Sequence, residues 1–272
     1  MKTIKTCITY LILVFSISAY ADGHGHAAGP IDNHIMTIHA VKVEGDAQAA
    51  ELVETKFMKR LAQHVIDNGG MFGWNFFRVY QNGAVNDEDY YTHMFVSIYP
   101  DIDAFFDPKS AHWTKASEVF TKKEQKELAS LQSKYSWTKD TMVIYRVDAS
   151  FGPENVPEAF QGGYVQMNYA KPTNAAAFLQ ENREIWKDFH LGNAPKSNMV
   201  AWGTGQKIHP TGGDWASVMT FDMFKSLPDL MKYRMGMGIS SWPENSKMGE
   251  INPDGFQLVA VGQFIDGAAA KK

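Results

Sequence analysis

Cysteine is nearly missing from this chain: among 272 residues only Cys7 carries a thiol. It stands too early, with too much apolar sequence after it, to be a lipoprotein cysteine. A disulfide, a thiolate nucleophile and a Cys-ligated metal are thereby excluded from the rest of the chain. Long apolar runs are missing as well. The longest, Ile8 to Tyr20, falls short of the about 20 residues a membrane-spanning helix requires. An excess of one charge is also lacking: 26 Lys+Arg against 30 Asp+Glu leave a formal charge of -4, which gives little electrostatic drive toward nucleic acid. The familiar catalytic signatures do not occur either. There is no Gly-x-Ser-x-Gly elbow, P-loop, dinucleotide Gly-x-Gly-x-x-Gly, His-Glu-x-x-His or Cys-x-x-Cys-His.

What is present begins with an address. Lys2 and Lys5 precede Leu11, Ile12, Leu13, Val14 and Phe15, and Ala19-Tyr20-Ala21 has the small-x-small form of a signal-peptidase site. The expectation is a signal peptide over residues 1–21 and a periplasmic or secreted protein. A flexible leader over 22–33 would follow. Cleavage takes away two lysines and no acid, moving the formal charge to -6. The remaining composition, 44% hydrophobic and 21% charged, excludes a disordered chain and supplies enough apolar surface for a core without disulfides.

Hydrophobic periodicity then describes one plan used twice. Ile35 to Val43 reads as a strand. Asp46 to Asn68 reads as an amphipathic helix through Ala50, Val53, Phe57, Leu61 and Val65, stopped by Gly69-Gly70. Gly73 to Tyr80 and Tyr90 to Tyr99 read as strands around an Asn82-Gly83 turn signal. A less regular helical stretch runs to Tyr135, and Met142 to Val147 closes a first unit, 34–150. The Gly- and Pro-rich 151–163 reads as a linker. In a second unit, 164–266, the order recurs: strand Tyr164 to Tyr169, helix Thr173 to Phe189, strands Asn198 to Ile208 and Asp214 to Phe221, helix Leu227 to Met235, strand Phe256 to Phe264. Residues 267–272 form a tail. Met71-Phe72-Gly73-Trp74 and Met199-Val200-Ala201-Trp202 stand at the same point of each β-α-β-β-α-β order.

With these elements the chain resembles the dimeric α+β barrel superfamily, ferredoxin-like units whose sheets pack face to face between subunits or between tandem halves. The fold class this implies is α+β, two tandem ferredoxin-like units in a barrel-type arrangement. The resemblance rests on element order and covers most of the chain. The superfamily it points to includes cofactor-free quinone-forming monooxygenases, haem-degrading monooxygenases, chlorite dismutases, dye-decolourising peroxidases and small stress-response proteins.

In a ferredoxin-like unit the first and third strands are central neighbours, and side chains alternate between faces. His39 sits mid-strand in the first and His93 in the third. Trp74, Phe76 and Arg78 share one parity on the second strand, as Tyr91, His93 and Phe95 do on the third. If these parities converge, one face carries two imidazoles, a guanidinium and aromatic rings, the makings of a small-molecule pocket. His39 and His93 would then be catalytic bases, Arg78 an oxyanion stabiliser, and Trp74, Tyr91 and Phe76 the walls for a small apolar or aromatic molecule. The plainer reading makes both histidines ordinary half-buried sheet residues. The second unit carries Gln166 and Asn168, then Trp202, Thr204 and Gln206, then Trp215 and Ser217 in comparable places, so the His-bearing first unit is the better candidate.

Cofactors are left open, none being the main expectation. Haem would need an axial imidazole, for which His190, His112, His39 and His93 are candidates. Cu(II) could be wrapped by a free amine at Asp22, two amides and His24, with His26 near, if the mature chain starts at Asp22. Gly203-Thr204-Gly205 lies inside a strand and reads as a bulge rather than a phosphate cradle. Met231, Met235, Met237 and Met248 read as helix packing, or as an adaptable wall for an apolar ligand. Three classes result: an exported small-molecule-binding or cofactor-independent monooxygenase-like protein, a haem or metal protein of the same fold, and a non-catalytic interaction or stress-response protein, the first being favoured. A homodimer is a further expectation.

Overall fold

The computed structural model describes residues 30–80, 90–153, 155–212 and 215–270. The expected signal peptide, most of the leader with His24 and His26, and the Asn82-Gly83 turn lie outside the described residues.

The element order repeats. In the first unit β1 (Ile35–Gly45) leads to α1 (Ala47–Leu52), a π-helical segment Val53–Met58 and α2 (Lys59–Asp67), which stack into one continuous helix. Strands β2 (Gly73–Val79) and β3 (His93–Tyr99) follow, then α3 (Ile102–Phe106), two 3₁₀ turns at Pro108–Ser110 and His112–Lys115, α4 (Ala116–Val119), α5 (Lys122–Gln132) and β4 (Tyr135–Phe151). After α6 (Val156–Ala159), the second unit has β5 (Tyr164–Ala170), and then α7 (Ala175–Glu181), a π segment Asn182–Trp186 and α8 (Lys187–Ser197) as one helix. It ends with β6 (Met199–His209), β7 (Val218–Phe224), α9 (Leu227–Arg234), α10 (Met248–Ile251) and β8 (Phe256–Ala269).

Local chemistry accounts for the helix ends. Asp46 and Asn174 cap the two long helices by accepting from Ala49 N (2.9 Å) and Ala177 N (3.0 Å). Gly69 at φ +76° and Asn198 at φ +55° follow their C-termini.

The strands close into a barrel in the order β1-β3-β2-β8-β5-β7-β6-β4. Each unit contributes four neighbouring strands, and the seams are β2–β8 and β4–β6, both antiparallel. One chain therefore supplies both sheets. Side chains of one parity fill the interior, including Met36, Ile38, Phe77, Met94, Tyr145, Met167, Tyr169 and Phe221. Side chains of the other parity lie beneath the helices, as Val41, Trp74, Phe76 and Phe95 do against Ala62, Val65 and Ile66 of α2.

Several boundaries differ from the expected ones. β4 begins at Tyr135 because its polar first residues pair with the end of β1, Gly45 opposite Tyr135, on a mostly solvent-facing stretch without an apolar signature. The second long helix continues beyond Phe189 to Ser197 on polar contacts that periodicity does not see. Asn193 Nδ2 donates to the Phe189 carbonyl (2.8 Å) and Ser197 Oγ to the Asn193 carbonyl (3.0 Å). β7 is shifted to Val218–Phe224 by its pairing with β5, Tyr164 opposite Phe224. β8 runs into the expected tail, where Ala268 pairs with Trp74. The stretch expected as a linker carries α6 and sends Phe160 into the barrel core beside Phe77 and Phe264. Gly203 does lie within a strand, and a Cβ there would meet the Phe221 ring at 2.4 Å.

Candidate functional site in the first unit

A cavity of about 600 Å³ opens between the helical layer and the β1-β3-β4 face of the first unit. Its floor is built by alternation. Thr37 and His39 come from β1, Trp74 from β2, and Phe95, Ser97 and Tyr99 from β3. The register places Thr37 beside Ser97 and His39 beside Phe95, with Trp74 and Phe76 opposite Ser97 and Phe95 on the far side of β3. Trp137, Asp140 and Met142 of β4 form one wall. Phe105, Phe106, His112 and Trp113 form the wall over the loops that follow α3. Glu54 and Met58 enter from the π segment, a helical irregularity that recurs at functional sites.

The polar groups in this aromatic shell are few and distinct. His39 Nε2 lies 2.5 Å from Asp140 Oδ1, and its ring packs against Trp137 and Phe95 at centroid distances of 5.4 and 5.6 Å. With Nε2–H donating to Asp140, Nδ1 holds the lone pair. Glu54 is buried, takes no hydrogen bond from any described residue, and is pushed up to about 8 by desolvation. At neutral pH it is a carboxylic acid able to donate a hydrogen bond. Burial pushes His112 down to about 4, so it is a neutral imidazole, and its Nδ1 has no partner among the described residues. Its ring meets Trp74 edge-on at 6.4 Å. Tyr99, also buried, is held above its ordinary value by desolvation.

Of the residues singled out from sequence, His39, Trp74, Phe95 and His112 line the cavity. His93, Phe76 and Arg78 share the same sheet face but do not reach it. Both His93 nitrogens are engaged: Nδ1 is 2.9 Å from Thr92 Oγ1 and Nε2 is 3.2 Å from Glu51 Oε1. Desolvation lowers its pKa in spite of Glu51. Arg78 is clamped by Glu51 through Nε and Nη2, each at 2.7 Å, and reaches Gln263 at 3.3 Å. Phe76 is stacked between His93 (5.4 Å) and Phe95 (5.2 Å). Tyr91 precedes β3 and is half-buried outside the cavity. The expected partnership of His93 as base and Arg78 as oxyanion stabiliser thus meets an ion pair at the solvent-exposed end of β2, because Glu51 of α1 occupies the guanidinium.

Periodicity missed Glu54, Asp140 and Trp137. Glu54 carried one usable signal, an acid within the apolar run Val53 to Phe57. Asp140 and Trp137 carried none, since the start of β4 was unrecognised.

Haem does not fit the residues of this cavity. Among the described residues no Lys or Arg lines it to meet propionates, its acids are Glu54, Asp107 and Asp140, and the His39 Nε2 is already bonded to Asp140. In the second unit the His190 Nδ1 is 2.6 Å from the Tyr233 hydroxyl and the ring stacks on Trp202 at 5.0 Å. The space beside it is about 240 Å³, below the about 300–1,000 Å³ of drug-sized pockets and too small for a macrocycle. Among the described residues no cluster of three or more His, Cys, Asp or Glu side chains is arranged to hold a metal ion, and no helix is long and apolar enough to cross a membrane.

The chain matches no protein-family model and no curated protein. Solved structures do match its fold. An anthrone oxidase-like protein aligns over 90% of this chain and 96% of its own at a TM-score of 0.52 with 10% identity. A candidate monooxygenase from Fusobacterium nucleatum aligns over 89% and 99% at 0.51 with 13% identity. One from Lactobacillus acidophilus aligns over 88% and 97% at 0.52 with 10% identity. The fold is the dimeric α+β barrel. The chain is a tandem form of this fold, both sheets of the barrel lying in one polypeptide.

Proposed function

We propose that this chain is an exported, cofactor-independent monooxygenase-like protein that takes a flat aromatic molecule with an acidic C–H or O–H group into the first-unit cavity. The observation that carries the reading is the composition of that cavity. An aromatic shell of about 600 Å³ encloses one imidazole oriented by a carboxylate and one carboxylic acid kept neutral by burial. Aromatic walls suit a planar ligand. Asp140 fixes the His39 tautomer and stabilises the imidazolium that forms when Nδ1 takes a substrate proton. The O–H of Glu54 stabilises the negative charge that proton loss leaves on the substrate.

An anthrone, the substrate class in the description of one structural neighbour, illustrates the balance. The base removes a proton from the CH₂ group, and the electron-rich carbanion reduces O₂. The CH₂ carbon loses two hydrogens and gains one oxygen as a carbonyl, and the second oxygen leaves as water. No external reductant enters. The test is oxygen uptake by the purified protein with anthrone as probe. The expected result is one O₂ per anthrone above the buffer rate, falling about 10²–10⁴-fold in His39→Ala. An unaltered rate in that variant, or no uptake above buffer, overturns the reading.

A further inference from the structure

The second unit has a cavity at the place equivalent to the first, under the π segment Asn182–Trp186, and its chemistry is different. Asp222 of β7 and Asn168 of β5 are 4% and 3% exposed. Asp222 Oδ2 accepts from Asn168 Nδ2 at 2.7 Å and from Gln166 Nε2 at 3.2 Å. Asn168 gives its amide to Thr220 Oγ1 as well, at 3.0 Å, so the orientation of the carboxamide is set. Its Oδ1 is left buried without a partner, and no described residue donates to Asp222 Oδ1. Two acceptor oxygens therefore lie in one cavity without donors from described residues, and the fully buried one, Asn168 Oδ1, is in a condition native interiors avoid unless something else supplies the hydrogen.

At the rim, Arg234 Nε donates to Gln166 Oε1, and no described acceptor takes its terminal Nη groups. The chain Arg234–Gln166–Asp222 holds a guanidinium and a carboxylate in fixed relation around one space of about 240 Å³. At about 30 Å³ per liquid water, that is room for a ligand the size of roughly eight waters. Trp186, Trp242 and Phe178 supply an apolar wall, the two indoles 5.3 Å apart.

We infer that this cavity binds a small zwitterion with an apolar side group, of the α-amino-acid type. Its ammonium sits on Asp222 and Asn168 and its carboxylate on the Arg234 fork. An ammonium supplies the N–H donors that both oxygens lack, and Arg is the side chain best shaped for a carboxylate. A plain amine would meet the repulsion of Arg234 and a plain carboxylate that of Asp222, so the pair of charges selects a ligand carrying both. Burial raises Asp222 only to about 6, which leaves it ionised at pH 7.5. The inference is independent of the first-unit reading, since no residue is shared between the two cavities.

The experiment is a thermal-shift and calorimetric titration of the full chain at pH 7.5 with three probes sharing one isobutyl side group: L-leucine, isopentylamine, which lacks the carboxylate, and 4-methylpentanoate, which lacks the amine. Leucine is expected to raise the Tm saturably, with both single-charge analogues bound about tenfold more weakly or worse. Arg234→Gln, at the rim, and Asp222→Asn, checked for folding by circular dichroism, should each remove the leucine response. His39→Ala should leave it unchanged. No leucine response up to about 10 mM, equal binding of isopentylamine, or a leucine response that survives Arg234→Gln overturns the inference.

Discussion

Trp74 and Trp202 hold the same position in the two units. Trp74 pairs with Ser97, whose other neighbour is Thr37, and Trp202 pairs with Asp222, whose other neighbour is Gln166. Both indoles are buried, and each faces an imidazole, His112 at 6.4 Å and His190 at 5.0 Å. Two residues along, the same correspondence sets His39 against Asn168 and Phe95 against Thr220. One scaffold thus carries an imidazole in an aromatic shell on one side and a buried carboxylate with amides on the other.

Glu54 makes stability depend on pH in an unusual direction. A carboxyl whose folded pKa is raised from 4.5 to about 8 binds its proton more tightly folded than unfolded. Its contribution is therefore favourable below about pH 4.5 and is lost as pH rises toward 8. At about 1.4 kcal/mol per unit the total is several kcal/mol. Glu54→Gln should raise the urea midpoint at pH 8 and flatten the fall between pH 5 and 8. A variant with an unchanged pH slope would show that Glu54 ionises freely.

His93 is expected to matter for folding rather than for ligand binding. It bridges Thr92 and Glu51 and stacks on Phe76. His93→Ala should therefore cost about 2–4 kcal/mol, in the range of large-to-small core substitutions. Aromatic-probe affinity, read by tryptophan quenching, should change less than about twofold. A large loss of affinity with unaltered stability would place His93 in the binding site.

Tyr145 places its hydroxyl in the barrel interior without a partner among the described residues, and its pKa is driven up by burial. Removing an unsatisfied buried hydroxyl relieves a desolvation cost of about 1–3 kcal/mol. Tyr145→Phe should raise the Tm by a few degrees, and a lowered Tm would reveal a hydrogen bond to that oxygen.

Gly203 has no room for a side chain, since a Cβ would lie 2.4 Å from the Phe221 ring. Gly203→Ala should destabilise the barrel by about 1–3 kcal/mol through overpacking, read as a lowered urea midpoint with an unchanged m-value. Restoration by Phe221→Leu in the same chain would locate the clash.

Export is tested by the intact mass of the chain recovered outside the cytoplasm. It should begin at Asp22, after Ala19-Tyr20-Ala21. A chain so processed would present a free amine and His24 to Cu(II), giving a visible d–d band on titration. A recovered chain still carrying Met1 would sink both expectations.

Element order, the alternation that puts His39, Trp74 and Phe95 on one face, and the repeated Met-x-x-Trp position were all legible in the sequence. They are local properties: period 2 in strands, period 3.6 in helices, caps and glycine stops. The sequence by itself therefore determined two β-α-β-β-α-β units and the face on which a first-unit site would lie. Tertiary structure alone decided which residues of that face meet open space. Glu51 and Glu54 are three residues apart on one helix. Glu54, in the π segment, lines the cavity, while Glu51 is spent on Arg78 and His93. Asp140 reaches His39 across 101 residues, through a strand pairing whose polar residues have no periodic signal. Side-chain partners across such distances depend on register and helix packing, and no local pattern encodes either one.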